Sequence, residues 1–160
     1  MIHHVSIPAR DPIRVARVLA ELMNGRAFPF AGPLPGAQMA VSGDPHGTMI
    51  EVYPETVAMA PGEGDGPVVY RHDAPAPTVV PFHFLLSTPL DRAAVEALGA
   101  REGWRTRFFE RAAPGRPPAF AVIEFWVENR IMIEVAPADL IGTYERYMQP
   151  ERLDALAANA

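Results

Sequence analysis

One short pattern occurs twice in this chain: Met49-Ile50-Glu51-Val52, one further residue and Pro54, then Met132-Ile133-Glu134-Val135, one further residue and Pro137. The offset between the two carboxylates is 134 − 51 = 83. A histidine near the start of each half recurs as well, His4 and His83, at an offset of 83 − 4 = 79. The His-to-Glu spacing is therefore 47 in one half and 51 in the other, a difference that one hairpin loop absorbs. A chain that repeats itself in this way is constrained to build one small module twice.

The elements around the repeat agree with that constraint. Residues 2–8 are β-leaning and stop at Pro8, after which Asp11-Pro12 supplies a helix N-cap and a proline at the first helical position. Ile13, Ala16, Leu19, Ala20 and Met23 follow at three- and four-residue steps, one face of a helix that ends near Asn24-Gly25. Short strands are predicted at 26–30, 37–42 and 48–53, separated by Gly32-Pro33, Pro35-Gly36 and Gly43-Asp44-Pro45. The first module, residues 1–55, thus reads β-α-β-β-β.

Residues 56–77 read as a linker that either crosses between modules or covers something, because Pro61-Gly62, Gly64-Asp65-Gly66-Pro67 and Ala74-Pro75-Ala76-Pro77 support no regular element. The second module, residues 78–136, repeats the order: a strand at 79–87, then a helix that Thr88 would cap and Pro89 would start, with Leu90, Ala94, Ala97 and Leu98 as its buried face. Gly99 or Gly103 ends it, and strands follow at 104–111, 119–127 and 130–136. Residues 137–160 turn helical again, with Leu140, Ile141, Tyr144, Tyr147 and Met148 on one face; they have no counterpart in the first half and either cover a sheet end or make a subunit contact.

Composition narrows the chemistry. A net charge of −5 over 160 residues argues against nucleic acid and anionic lipid as partners. No apolar run approaches a membrane span and the N-terminus lacks a signal-like pattern, so the chain reads as soluble, unexported and cytoplasmic. Without cysteine, His and carboxylate are the strong metal ligands left.

A glutamate inside Met-Ile-Glu-Val is costly to bury without a positive partner, which either an arginine or a metal can provide. Two imidazoles and two carboxylates around a divalent cation form a roughly charge-balanced N/O set suited to zinc, nickel, cobalt, iron or manganese. His4, Glu51, His83 and Glu134 are the candidate metal ligands. Singly, each also reads as an ordinary strand residue; the repetition is what selects them. His3 points to the opposite face from His4. His46 and His72 read as solvated turn residues, and Trp104, Phe120, Phe125 and Trp126 as core or pocket wall. Arg10, Arg71, Arg105 and Arg107 are possible anion contacts that read first as solvated surface.

These residues resemble the vicinal oxygen chelate superfamily, the group of glyoxalases, bleomycin-resistance proteins and extradiol dioxygenases. The resemblance covers most of residues 2–136 and rests on His4-Val5-Ser6 with Asp11 seven residues after the histidine, and on Asp44-Pro45-His46-Gly47 running into Glu51. In the second half His83 and Glu134 match, while Glu128-Asn129-Arg130 replaces the Asp-Pro-x-Gly turn. The likeness selects His4 over His3. It implies an α+β fold of tandem βαβββ modules forming an open, barrel-like curved sheet, with modules paired inside one chain or across a homodimer.

The His, Glu, His, Glu order looks most like glyoxalase I. That likeness implies a lyase or isomerase that deprotonates a small oxygenated substrate next to a metal-polarised carbonyl, through an enediolate. Glu134 matches the family's base and Glu51 is its alternative. The sequence departs from bacterial glyoxalase I at Pro8, which stands where an arginine binds glutathione. Two other readings are an extradiol-type dioxygenase using His4, His83 and Glu134 on iron, against which Glu51 counts as a surplus ligand, and a non-enzymatic small-molecule binding protein.

Overall fold

A computed structural model describes residues 2–30, 32, 34–79, 81–112 and 116–157. Pro33, named above, and Val80, inside the strand predicted at 79–87, lie outside them. The chain divides into two compact units, Met1–Pro81 and Phe82–Ala160.

In the first unit β1 (His4–Ala9) leads into α1 (Pro12–Leu22), then β2 (Arg26–Pro29), β3 (Gln38–Val41) and β4 (Met49–Pro54). Asp11 caps the helix by accepting a hydrogen bond from the Arg14 amide, with Pro12 at the first position as the sequence predicts. The sheet order is β1-β4-β3-β2, with β1 parallel to β4 and the other pairs antiparallel. The alternation of the strands sends Ile7, Ala9, Ala40, Ile50 and Val52 to one face, where they bury against Val15, Leu19 and Leu22 of α1. The predicted helical face needs one correction: Ile13 is 55% exposed, and Val15, Val18 and Leu22 join Ala16, Leu19 and Ala20 in the core. A stripe wide enough to cover three strands includes positions that a single three-four step omits.

The stretch expected to be an irregular linker contains a hairpin, β5 (Ala58–Ala60) paired with β6 (Val69–Arg71). Its strands are only three residues long, too short for a periodicity signal. They are held by packing: Val57 and Tyr70 join Phe30 around the buried Leu34, Ala37 and Tyr53. Tyr53 meets Tyr70 edge-on at 6.3 Å and Phe30 at 5.8 Å. The segment therefore covers part of the first unit's sheet, on the face away from α1.

The second unit repeats the order with β7 (His83–Thr88), α2 (Arg92–Glu102), β8 (Thr106–Arg111), β9 (Phe120–Val127) and β10 (Ile131–Pro137). Its sheet order, β7-β10-β9-β8, is the same topology, again with the outer strand parallel to the strand that carries the glutamate. Both four-stranded sheets are open. The architecture is thus α+β, a βαβββ module used twice.

Thr88 does not cap α2. Its hydroxyl accepts from the Leu90 amide in a local turn, and Asp91 takes the cap by accepting from the Ala94 amide at 2.8 Å. An aspartate outcompetes a threonine three residues earlier because its carboxylate also meets the positive helix end. The helix accordingly buries Val95, Leu98 and Gly99; of the predicted face only Leu98 is buried, Leu90 and Ala94 being half-buried and Ala97 exposed, and the helix ends at Gly103 in the left-handed conformation. Helices α3 (Ala138–Tyr147) and α4 (Pro150–Ala157) complete the unit. α3 packs on β9 and β10, where Phe120 sits between Tyr144, at 5.1 Å, and Tyr147, at 5.7 Å. Of the two roles expected for these residues, covering a sheet end is the one seen here.

Gly99 lies where any side chain would collide with the side chain of Thr106 and approach the Trp104 carbonyl. Gly99→Ala should destabilise the second unit by about 1–3 kcal/mol through overpacking, and adding Thr106→Ala should recover most of that. Thermal denaturation of the three variants reads this directly; no loss in Gly99→Ala would show that α2 sits farther from β8.

Candidate functional site

The two parallel strand pairs set the position of every candidate ligand. In the first unit His4 is in register with Met49 and Ser6 with Glu51; in the second His83 is in register with Met132 and Leu85 with Glu134. Side chains of register partners point to the same face, and so do residues two apart on one strand. His4 and Glu51 therefore share a face, one pleat repeat of roughly 6.6 Å apart along the strand, and His83 and Glu134 share a face in the same relation. In both units it is the face away from the first helix. Each histidine stands at the start of an edge strand, exposed, beside the strand that holds its glutamate.

Glu51 is 7% exposed. One of its oxygens, Oε2, accepts hydrogen bonds from the Ser6 hydroxyl at 2.8 Å and the Tyr53 hydroxyl at 2.6 Å. Both donors are neutral. No cationic side chain pairs with Glu51, and Oε1 accepts no hydrogen bond among the described residues. Burial, together with the hydrogen bond to Glu51, pushes the Tyr53 hydroxyl above its ordinary pKa range, because a tyrosinate there would lie against a carboxylate in a poorly hydrated place.

Glu134 is held differently. Arg111 donates from Nε at 3.0 Å and from Nη2 at 2.7 Å to Glu134 Oε1, and Nη2 also reaches Glu124 Oε1 at 2.9 Å. Glu124 is the register partner of Glu134, so the arginine bridges two carboxylates that would otherwise repel across the strands. Trp126 Nε1 donates to the other oxygen of Glu124 at 3.2 Å. Burial alone would lower the Arg111 pKa, but its bonds to Glu134 and Glu124 outweigh this and raise it. The three groups together carry a net charge of one negative. Glu134 Oε2, like Glu51 Oε1, accepts no hydrogen bond among the described residues.

The two halves are thus alike in one respect: each fixes its glutamate through one oxygen and leaves the other uncommitted on a face shared with a histidine. Within neither unit do three or more of the described His, Asp and Glu residues gather into a set that could hold a metal ion. A single unit supplies one histidine and one carboxylate. Among the other candidates, the His3 ring donates from Nδ1 to the His46 carbonyl at 2.8 Å, which ties the strand to the 44–47 turn, and the side chains of His46 and His72 are exposed. Asp44 organises that turn; hydrogen bonding with Thr48, and then with Ser42 and His46, holds its carboxyl well below the usual range. Trp104 is buried edge-on against Phe125 at 5.7 Å, as expected of core.

Sequence reasoning missed Ser6, Tyr53, Arg111 and Glu124. Ser6 and Tyr53 were detectable, since each lies two residues from His4 or Glu51 and so on the same strand face. Arg111 was not, because it lies 23 residues from Glu134 and two strands away from it.

No family model matches this sequence, and no curated protein matches it. Solved structures similar to it include an integron cassette protein from the mobile metagenome of V. cholerae, 13% identical, covering 86% of this chain and 94% of that one, with a TM-score of 0.49. A lactoylglutathione lyase from Agrobacterium tumefaciens is 14% identical, covering 86% and 93%, with a TM-score of 0.46. Another Agrobacterium tumefaciens protein, ATC0852, is 11% identical, covering 86% and 98%, with a TM-score of 0.47. Likeness at this level does not carry chemistry from one chain to another.

Two predictions follow from how the carboxylates are held. Arg111→Met should cost about 2–3 kcal/mol in urea denaturation, below the range for a fully buried pair because the guanidinium is partly exposed, and Glu124→Gln in the same chain should recover part of it. An unchanged midpoint would mean that the arginine is not clamping the pair. Tyr53 binds its proton more tightly folded than unfolded, so its contribution to stability is complete below the ordinary tyrosine pKa of about 10 and is lost as pH rises above it. Ultraviolet titration of the phenols should show one tyrosine resisting ionisation in the native protein, and Tyr53→Phe should abolish that class.

Proposed function

We propose that the chain is a metal-dependent lyase or isomerase of the glyoxalase type, acting on a small oxygenated substrate. The observation that carries this reading is the repeated half-site: an exposed histidine sharing a sheet face with a glutamate fixed by one oxygen and open at the other. The donor set fits a divalent ion such as nickel, zinc, cobalt, manganese or iron, since imidazole nitrogen and carboxylate oxygen suit all of them. His4 and Glu51 from one module and His83 and Glu134 from the other would hold it, the modules pairing within one chain or across a homodimer.

Glu51 also supplies a physical reason. A carboxylate that is 7% exposed and held only by two hydroxyls is stabilised by a cation, and no described side chain provides one. A bound divalent ion would supply Lewis-acid polarisation of a substrate carbonyl. Proton transfer at the carbon beside that carbonyl falls to the protein's own carboxylates. Glu51, with an oxygen open and a hydroxyl pair to steady it, is the better placed of the two to move a proton. Glu134 would have to act while its other oxygen stays on Arg111. This reverses the preference for Glu134 drawn from the sequence. The absence of a cation at Pro8, on the same strand face as Ser6, supports a substrate other than a glutathione adduct.

Arg111 favours a second reading. If its hold takes Glu134 out of the ligand set, the second module contributes no carboxylate ligand, and the protein is a non-enzymatic small-molecule binder.

Metal content separates the two. Protein purified without chelator or nickel resin should carry a divalent ion in stoichiometric amount, and Glu51→Ala and His83→Ala should each lose it. Metal loss in Glu51→Ala with full retention in Glu134→Gln would leave Glu134 without a ligand role. A protein that stays metal-free after incubation with each of the five ions would sink the enzyme reading and leave the binder. Oxygen uptake with a catechol after iron loading would move the assignment to a dioxygenase.

A further inference from the structure

The second unit carries a cleft that the proposed function does not use. It runs along the free edge of β8, beside α2, with a volume of about 630 Å³. Its lining is unusual for a chain of net charge −5, whose 14 basic residues are all arginine. Arg92, Arg105 and Arg107 line it, Arg107 from the edge strand itself and Arg105 from just before it, and Glu96 is the one carboxylate among the lining residues. The local balance is therefore two positive charges.

Two of the three guanidinium groups are already oriented. Arg92 donates from Nε to Glu96 at 2.8 Å, and its guanidinium lies 4.3 Å from the centre of the Phe108 ring. Arg107 donates from Nη1 to the Thr106 carbonyl at 3.0 Å. The obvious acidic partner for Arg107 is its register neighbour Glu124, but that carboxylate is committed to Arg111 and Trp126. Among the described residues Arg107 makes no ion pair as a result. Arg105 has a fixed backbone, its amide donating to Asn129 Oδ1 at 2.7 Å and its carbonyl accepting from the Trp126 amide at 2.9 Å, while its side chain has no ion pair or hydrogen bond among the described residues. Asn129 is held in turn by donating to the Gly103 carbonyl.

We propose that this cleft binds a small doubly charged oxyanion, the group shared by phosphate monoesters and dicarboxylates. Arg105 and Arg107 are its charge contacts, and Arg92 forms a wall already steadied by Glu96 and Phe108. Guanidinium forks match paired oxygens of either anion, and little side-chain freedom is lost where the fork is already in place. The two uncompensated charges match a dianion. The site is independent of His4, Glu51, His83 and Glu134, so it stands or falls apart from any metal.

Trp104 lines the cleft and provides the readout. The intact protein is titrated at constant ionic strength with inorganic phosphate and, separately, with succinate, following tryptophan fluorescence and heat. Saturable binding of either below about 10 mM, weakened about tenfold or more in Arg105→Ala/Arg107→Ala and unchanged by added chelator, supports the site. Phosphate binding without succinate binding identifies a phosphate group as the ligand, and the reverse a dicarboxylate. Because both arginines are exposed, the double variant should keep its native circular dichroism. A Trp104→Phe chain followed by heat alone guards against a signal from Trp126. If neither anion binds, or if the double variant binds as the wild type does, the proposal is wrong.

Discussion

A carboxylate standing in the middle of a Met-Ile-Glu-Val strand has to be held by something, and the way each module solves this organises its open face. The strand is central in its sheet and its alternate residues are committed to the core, so the glutamate has one direction left to point. In the first unit two hydroxyls steady it; in the second an arginine does. Each arrangement draws in further residues. Burial and the hydrogen bond to Glu51 both raise the Tyr53 pKa, and the 56–77 segment packs against Tyr53. Glu124 is spoken for by Arg111, which leaves Arg107 on the edge strand without an ion pair among the described residues.

The same module has thus been tuned twice. The His-Met register is identical in both copies, and so is the relation between the outer parallel strand and the glutamate strand. What differs is the position opposite the glutamate on its other neighbour, Met39 in the first unit and Glu124 in the second. An apolar residue there leaves Glu51 as a lone charge. A second acid there creates a like-charge pair that only a cation can stabilise, and Arg111 supplies it from the next strand. The asymmetry has a functional sense: one carboxylate has its charge available, the other has part of it balanced in advance.

Covering of the sheets also differs between units. In the first, a hairpin with three-residue strands lies over Tyr53; in the second, α3 closes on Phe120, the register partner of Arg111. Both coverings use aromatic edge-to-face contacts, and both leave the histidine end of the sheet exposed. No described helix is long and apolar enough to cross a membrane.

Much of this could be read from the sequence because it depends on local rules. The repeat Met-Ile-Glu-Val, the cap at Asp11-Pro12 and the strand punctuation each act over a few residues, whereas the shared faces of His4 with Glu51 and of His83 with Glu134 needed the strand register as well as the periodicity. The cap at Asp91 and the hairpin at 58–71 were decided by competition and packing that neighbouring residues do not encode. Tertiary structure alone decided which partner each carboxylate took. Arg111 reaches Glu134 only because strand order and register bring residues 23 apart into contact, and charge interactions across strands leave no periodic trace in a sequence.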